Sequence, residues 1–369
     1  MTIKHRLPGL DTLRSIAIIS VILYHYPKNE DQLYLRAITH YGWIGVDLFF
    51  VLSGFLIGGQ AFREIIAHGK LDTIRFYQRR FLRTLPSYYI ILLITLIFFW
   101  TQGRSISEGW KYFFFLQNFE LPKFFTHSWS LCVEEHFYLV FPWIVSTLHR
   151  LKTLKISLKV SLMVGFLFLA EWIQRAIFFK HYRFDLAEVD HIHLAWSEYL
   201  RHIFYPTWTH IDGLLIGVGI SAIQVYRPKI WTQLLNQGRM FLVGSLILLL
   251  LSSWIAYSPM NALATIFGFT FISLSFGMLI ITAVSEKTWL GTTYFPLTKK
   301  ISELSYSMYL THVFGIHAAY TIVQFFNASI TSILLPSLSA LGIGLFSFLL
   351  HITVEKPFLR LRDRLKLKI

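Results

Sequence analysis

Charge is scarce in this sequence. Asp, Glu, Lys and Arg make up 15% of its 369 residues, whereas a soluble domain carries about 25%. Hydrophobic residues reach 54% and the mean hydropathy is +0.53. The deficit argues against a soluble domain and points to a bilayer as solvent. Cysteine is almost missing as well: the single Cys132 excludes an intramolecular disulfide and a cysteine-based zinc site. Acids are outnumbered 20 to 34 by Lys and Arg, for a formal net charge of +14. On a soluble chain that excess would suggest nucleic acid. Here the cytoplasmic bias of Lys and Arg in membrane proteins accounts for it, and no nucleic-acid partner is expected. The apolar run after Lys4 and Arg6 lacks a small-residue cleavage site, so it reads as a retained first helix. No repeat, low-complexity tract or appended soluble domain is evident, and residues 1–369 read as one integral-membrane domain.

Long apolar runs are what the sequence has in quantity. A spanning helix needs about 20 mostly apolar residues. Ten intervals qualify: 10–27, 41–61, 84–101, 129–149, 158–178, 203–224, 240–256, 261–284, 303–325 and 332–352. The expected fold is an all-α polytopic bundle of about ten spanning helices. Most Lys and Arg fall in the connections that are cytoplasmic when both termini are inside, which fits the positive-inside rule. Arg104, Lys123, Arg175 and Arg201 are among the few cations assigned to outer segments.

Ionisable groups inside spans cost about 2.5–3.5 kcal/mol on insertion scales and usually mark function. Arg14 and His25 are eleven residues apart on the first span. Eleven steps of about 100° return to one helix face, with a rise of about 16 Å. The alternative is a snorkelling Arg and an interfacial His. Asp47 lies on the second span among Gly45, Gly54, Gly58 and Gly59, which permit close helix approach; a packing face with one pairing carboxylate is the bland alternative. Arg79, Arg80 and Arg83 sit at helical spacing, where guanidinium forks suit phosphates, or supply ordinary inner-surface charge. Trp129, Glu134, Glu135 and His136 open the fourth span, either orienting an imidazole or decorating a solvated helix start. The outer segment 181–210 holds His181, His191, His193, His202 and His210, which reads as a polar, aromatic wall toward an acceptor rather than a metal site. Asp212 follows inside the sixth span, and His312 inside the ninth, where a hydrogen-bonded core His is the commoner role.

By depth these groups form two poles. The inner pole is cationic: Arg14, Arg79, Arg80, Arg83 and Arg360. The outer pole holds His25, Asp47, Glu134, Glu135 and Asp212. The polarity suits a phosphate-bearing donor from inside and a hydroxyl acceptor outside. A neutral imidazole would take the hydroxyl proton as the alcohol attacks a thioester carbonyl, with a carboxylate stabilising the imidazolium.

The residues resemble the membrane-bound acyltransferase family 3, the polytopic O-acyltransferases of bacterial envelope glycans. The resemblance spans essentially the whole chain. It rests on Leu10-Asp11-Thr12-Leu13-Arg14 through His25, the block from Gly45 to Phe55 that includes Asp47 and Ser53, and Arg80-Phe81-Leu82-Arg83 before Pro86. Trp129-Ser130-Leu131 with Val133-Glu134-Glu135, then Ser305-Tyr306 with Tyr309-Leu310 and His312, and Glu355-Lys356-Pro357 complete it. The resemblance implies acyl-CoA, commonly acetyl-CoA, as donor and no permanently bound cofactor. It implies a polysaccharide, lipopolysaccharide or lipid-linked glycan as acceptor and the bacterial inner membrane as location.

It also makes Arg14 and His25 an essential pair and Arg80 and Arg83 a functional motif. With it, His25, Glu134 and Asp47 are expected to be catalytic; Arg14, Arg79, Arg80 and Arg83 to bind donor; and Glu135, His210, Asp212 and Trp129 to lie on the acceptor side. Ser53, His312 and Glu355 are further candidates. A homo-oligomer is compatible with the sequence. The chain departs from the family where Arg-x-Asp is usual and His210-Ile211-Asp212 stands, which removes a cation, and His136 stands where Gln is usual. Many relatives carry an appended esterase-like domain; none is expected before Ile369, so the chain acts alone or delivers to a partner. The competing reading is a transporter or flippase of a lipid-linked sugar, which would show related halves; none is apparent.

Overall fold

The computed structural model describes residues 7–27, 39–151, 154–182, 192–255, 260–326 and 334–366. It is all-helical, with 87% helix and no strand among the described residues. Ten longer helices give the frame: α1 Pro8–His25, α2 Gly45–His68, α3 Thr73–Thr101, α4 Trp129–Arg150, α5 Ile156–Tyr182, α6 Asp212–Tyr226, α7 Gly238–Ile255, α8 Ala262–Val284, α9 Pro296–Phe325 and α10 Leu334–Leu350. Among the described residues, six helical stretches are long and apolar enough to cross a membrane: Tyr41–His68, Thr73–Thr101, Ile156–Tyr182, Gly238–Ile255, Ala262–Val284 and Leu334–Leu365.

One expected span is not a continuous helix. Over 203–224 the chain instead runs through a π-helical turn Leu200–Phe204, an extended Pro206 and a 3-10 turn Thr207–Thr209, and α6 starts only at Asp212. Pro206 holds an extended backbone, which interrupts the helix there. The result is an apolar helix of 15 residues. Conversely, the stretch with Arg75, Arg79, Arg80 and Arg83, expected as a connection, is already the first part of α3.

The chain forms two compact units. The first comprises 1–13, 46–73 and 108–295, and the second 14–45, 74–107 and 296–369. In the first, α2 and α6 meet along a glycine seam. A Cβ on Gly54 would overlap the Leu214 carbonyl, and one on Gly217 the Val51 carbonyl. Gly58 faces Ser221, whereas the atoms nearest Gly59 belong to Arg63 of its own helix. Small residues let backbones approach this closely where apolar burial gives helices little reason to associate.

In the second unit, Gly45 lies against the Ala17 carbonyl of α1, and Gly315 of α9 against Ile343 of α10. After α10 a π-helical turn, His351–Glu355, leads into the amphipathic helix Lys356–Lys366. Pro86 inside α3 removes one ladder donor, and nearby the Tyr306 hydroxyl of α9 donates to the Thr84 carbonyl at 2.7 Å.

Candidate functional site

The first unit buries a polar network built by α2, α5, α6 and α8. Arg175 lies on α5 and is fully buried. The sequence places it among the outer-segment cations; in the structure it lies within α5 and its side chain is held in the core by Asp212 and two carbonyls. Its Nε and Nη2 donate to the Thr209 carbonyl at 2.9 and 2.7 Å, and Nη1 donates to the Ile266 carbonyl at 3.0 Å. Both terminal nitrogens pair with Asp212, and Nη2 also reaches Glu171 Oε2 at 3.3 Å. The guanidinium lies 5.0 Å from the Phe269 ring centroid. Thr270 donates its hydroxyl to Asp212 Oδ1, and the Ile211 N–H donates to Glu171 Oε1 at 3.2 Å. Asp212 opens α6, where a carboxylate also complements the helix dipole. Asp212 thus draws its cation from another helix, α5.

His210 pairs with Asp47. Its Nε2 lies 3.1 Å from Asp47 Oδ1, and its Nδ1 lies 2.6 Å from the Phe204 carbonyl. A carbonyl only accepts, so Nδ1 carries hydrogen. The pair then shares one proton between Nε2 and the carboxylate, or is an imidazolium–carboxylate pair. The π-helical turn at Leu200–Phe204 presents the Phe204 carbonyl. The imidazole stacks on Phe269 with centroids 3.9 Å apart and on Trp129 at 5.1 Å. Asp47 Oδ2 is buried without a hydrogen-bond partner.

Glu134, on α4, is gripped by two hydroxyls. Ser53 donates to Oε1 at 2.7 Å and Tyr138 to Oε2 at 3.0 Å. Glu135 is buried, as is Trp129. Farther along, His136 Nδ1 meets Thr207 Oγ1 at 2.7 Å, and its ring stacks on Phe119, which stacks on Trp208. His202 lies 2.8 Å from the Tyr182 hydroxyl and 3.1 Å from Glu198, and burial pulls its imidazole below the ordinary value of 6.5. His191 is outside the described residues. Among those described, no three His, Cys, Asp or Glu side chains converge as a metal set.

The second unit holds Arg14, His25, Arg79, Arg80, Arg83, His312 and Glu355. His25, in the last turn of α1, places Nδ1 3.0 Å from the Val21 carbonyl and 3.2 Å from His312 Nε2. His312, fully buried on α9, places its own Nδ1 2.8 Å from the Tyr309 carbonyl. Arg14, Arg79, Arg80 and Arg83 are all half-buried. Glu355 accepts from Ser307 at 2.7 Å and contacts His351 Nδ1 at 3.0 Å, all within the π-helical turn and α9.

Two features escaped the sequence. Arg175 carried no local signal of its partner, because Asp212 is 37 positions away. The His25–His312 contact joins positions 287 apart. The first could have been suspected from an Arg and an unpaired Asp near the ends of apolar runs.

Apolar helices of spanning length, together with ion pairs and an imidazole pair in their interior, define a multi-pass helical membrane protein. The profile of the acyltransferase domain family matches residues 7–354, and the chain belongs to that family. It is 28% identical over 336 residues to a Staphylococcus aureus (strain COL) protein provisionally named an O-acetyltransferase, covering 83% of this chain and 50% of that protein. It is 33% identical over 168 residues to the O-acetyltransferase OatA of Staphylococcus aureus (strain NCTC 8325 / PS 47), covering 40% of this chain and 26% of OatA. The chain spans about half the length, or less, of these curated relatives. No solved structure matches it significantly.

Proposed function

We propose that the chain is an O-acetyltransferase of the bacterial inner membrane. It moves an acetyl group from cytoplasmic acetyl-CoA to a hydroxyl of an envelope polysaccharide or lipid-linked glycan. In this reading it crosses the membrane about ten times with both termini cytoplasmic, the less apolar α1, α4 and α9 and the short α6 joining the six apolar stretches. The family match and the names of the two relatives support the acyl chemistry. The observation that carries the mechanism is His25 on α1, with its Nδ1 engaged by Val21 and His312.

The reaction balances without a redox partner or metal. The His25 imidazole takes the proton of the acceptor hydroxyl as its oxygen bonds to the thioester carbonyl carbon. The carbon–sulfur bond then breaks, and the thiolate of CoA regains a proton from the imidazolium. Arg14, Arg80 and Arg83, with Arg79, would meet the phosphates of CoA, since guanidinium forks match phosphate oxygens. Glu134 is proposed as a catalytic carboxylate, its charge fixed in place by Ser53 and Tyr138. Asp47 would act through its imidazole partner His210, and Trp129, Glu135 and Asp212 would serve the acceptor side.

The experiment is transfer by purified full chain in liposomes, with radiolabelled acetyl-CoA and extracted envelope glycan. Label should move to glycan. In cells lacking the chain, glycan should reach the surface in normal amount but without its acetyl groups. Normal acetylation with reduced export would instead indicate a transporter.

A further inference from the structure

Two imidazoles in contact inside one unit need a proton arrangement that satisfies both. His312 Nδ1 faces the Tyr309 carbonyl at 2.8 Å. A carbonyl only accepts, so this nitrogen carries the hydrogen of the neutral ring and Nε2 carries the lone pair. That lone pair points at His25 Nδ1, 3.2 Å away. His25 Nδ1 also faces a carbonyl, that of Val21, at 3.0 Å. The Val21 carbonyl and His312 Nε2 both act as acceptors toward His25 Nδ1, which places the hydrogen of His25 on that nitrogen. The two carbonyl contacts, one on α1 and one on α9, reach the same assignment independently.

We infer that His312 is a positioning residue for the acyl transfer: it accepts the Nδ1 hydrogen of His25 and so leaves His25 Nε2 as the basic nitrogen. This rests on the reading of His25 as general base. A lone imidazole exchanges its proton between nitrogens, and the hydrogen bond at one nitrogen decides which of them is basic. His312 also shares the positive charge that His25 acquires when it takes the hydroxyl proton, because its lone pair faces the Nδ1–H that becomes more acidic. The two rings pack edge to face, with centroids 4.9 Å apart. Tyr24 packs on His25 at 5.2 Å and Tyr309 on His312 at 5.9 Å. His312 is wholly buried, so its role is exerted through His25 and not on substrate.

The test uses the full chain in liposomes. His312→Phe keeps a flat ring and removes the acceptor, and His312→Gln keeps an acceptor oxygen. With folding checked by monodisperse elution, His312→Phe should lower kcat about 100-fold, the lower end of what a positioned general base supplies, with the KM for acetyl-CoA unchanged. His312→Gln should restore most of that loss. Histidine 15N resonances, with His25→Ala to assign them, should show His25 protonated at Nδ1. The inference is overturned if His312→Phe keeps wild-type kcat while His25→Ala is inactive. It is overturned equally if Gln is as impaired as Phe, or if the resonances place the hydrogen of His25 on Nε2. Full activity in His25→Ala would sink the base assignment itself, and that result is read separately from any His312 variant.

Discussion

Arg175 and Asp212 form an ion pair with no solvent exposure on either side chain. The guanidinium is further held by the Thr209 and Ile266 carbonyls and by Glu171. A pair this deep is costly to desolvate, and removing one member leaves the other uncompensated. Arg175→Met should therefore cost about 3–5 kcal/mol of stability, seen as a large fall in melting temperature in detergent. The double variant Arg175→Met with Asp212→Leu should recover part of it. Equal melting temperatures for wild type and Arg175→Met would show that the pair contributes little.

The glycine seam between α2 and α6 gives a steric prediction. Gly54→Leu and Gly217→Val should abolish folded protein, because even the first carbon would overlap a carbonyl of the facing helix. Gly165→Ala, with open space around the added carbon, should express and melt like wild type. Expression and size-exclusion profiles separate the cases.

His202 predicts a pH dependence. Burial outweighs the neighbouring Glu198 and lowers its imidazole below 6.5. As pH falls through 6.5 the unfolded chain takes up the proton first, so stability decreases over the window down to the lowered folded value. His202→Phe should flatten that part of the curve of melting temperature against pH, while leaving the curve above 7 parallel to wild type. An unchanged slope below 6.5 would contradict the assignment.

Arg80→Ala and Arg83→Ala test donor binding. Each should raise the KM for acetyl-CoA by about tenfold or more, the loss of one charge-assisted phosphate contact worth about 1.5–3 kcal/mol. A truncated donor lacking the nucleotide phosphates should be insensitive to both variants. Unchanged donor constants would remove the phosphate role.

Much of the helical frame was legible because apolar runs near 20 residues leave few other folds. Helices occupy the expected intervals except at Pro206, where a run of hydrophobic residues hides a break at an extended proline. Arg14, His25, Asp47, Glu134 and Asp212 stand out in the sequence as candidates because of their placement in apolar surroundings. Their partners could not. Asp47 is answered by His210 across 163 positions and Asp212 by Arg175 across 37, and periodicity carries no record of which helix lies beside which. For the same reason the sequence leaves His312 as either a core histidine or a site candidate, its contact with His25 lying 287 positions away.

The most direct measurement is transfer of radiolabelled acetyl from acetyl-CoA to envelope glycan by purified His25→Ala in liposomes, beside wild type. The account predicts label on glycan with wild type and, in a variant that elutes and melts normally, a rate reduced by at least about 100-fold. Glycan labelled at the wild-type rate by His25→Ala would contradict it.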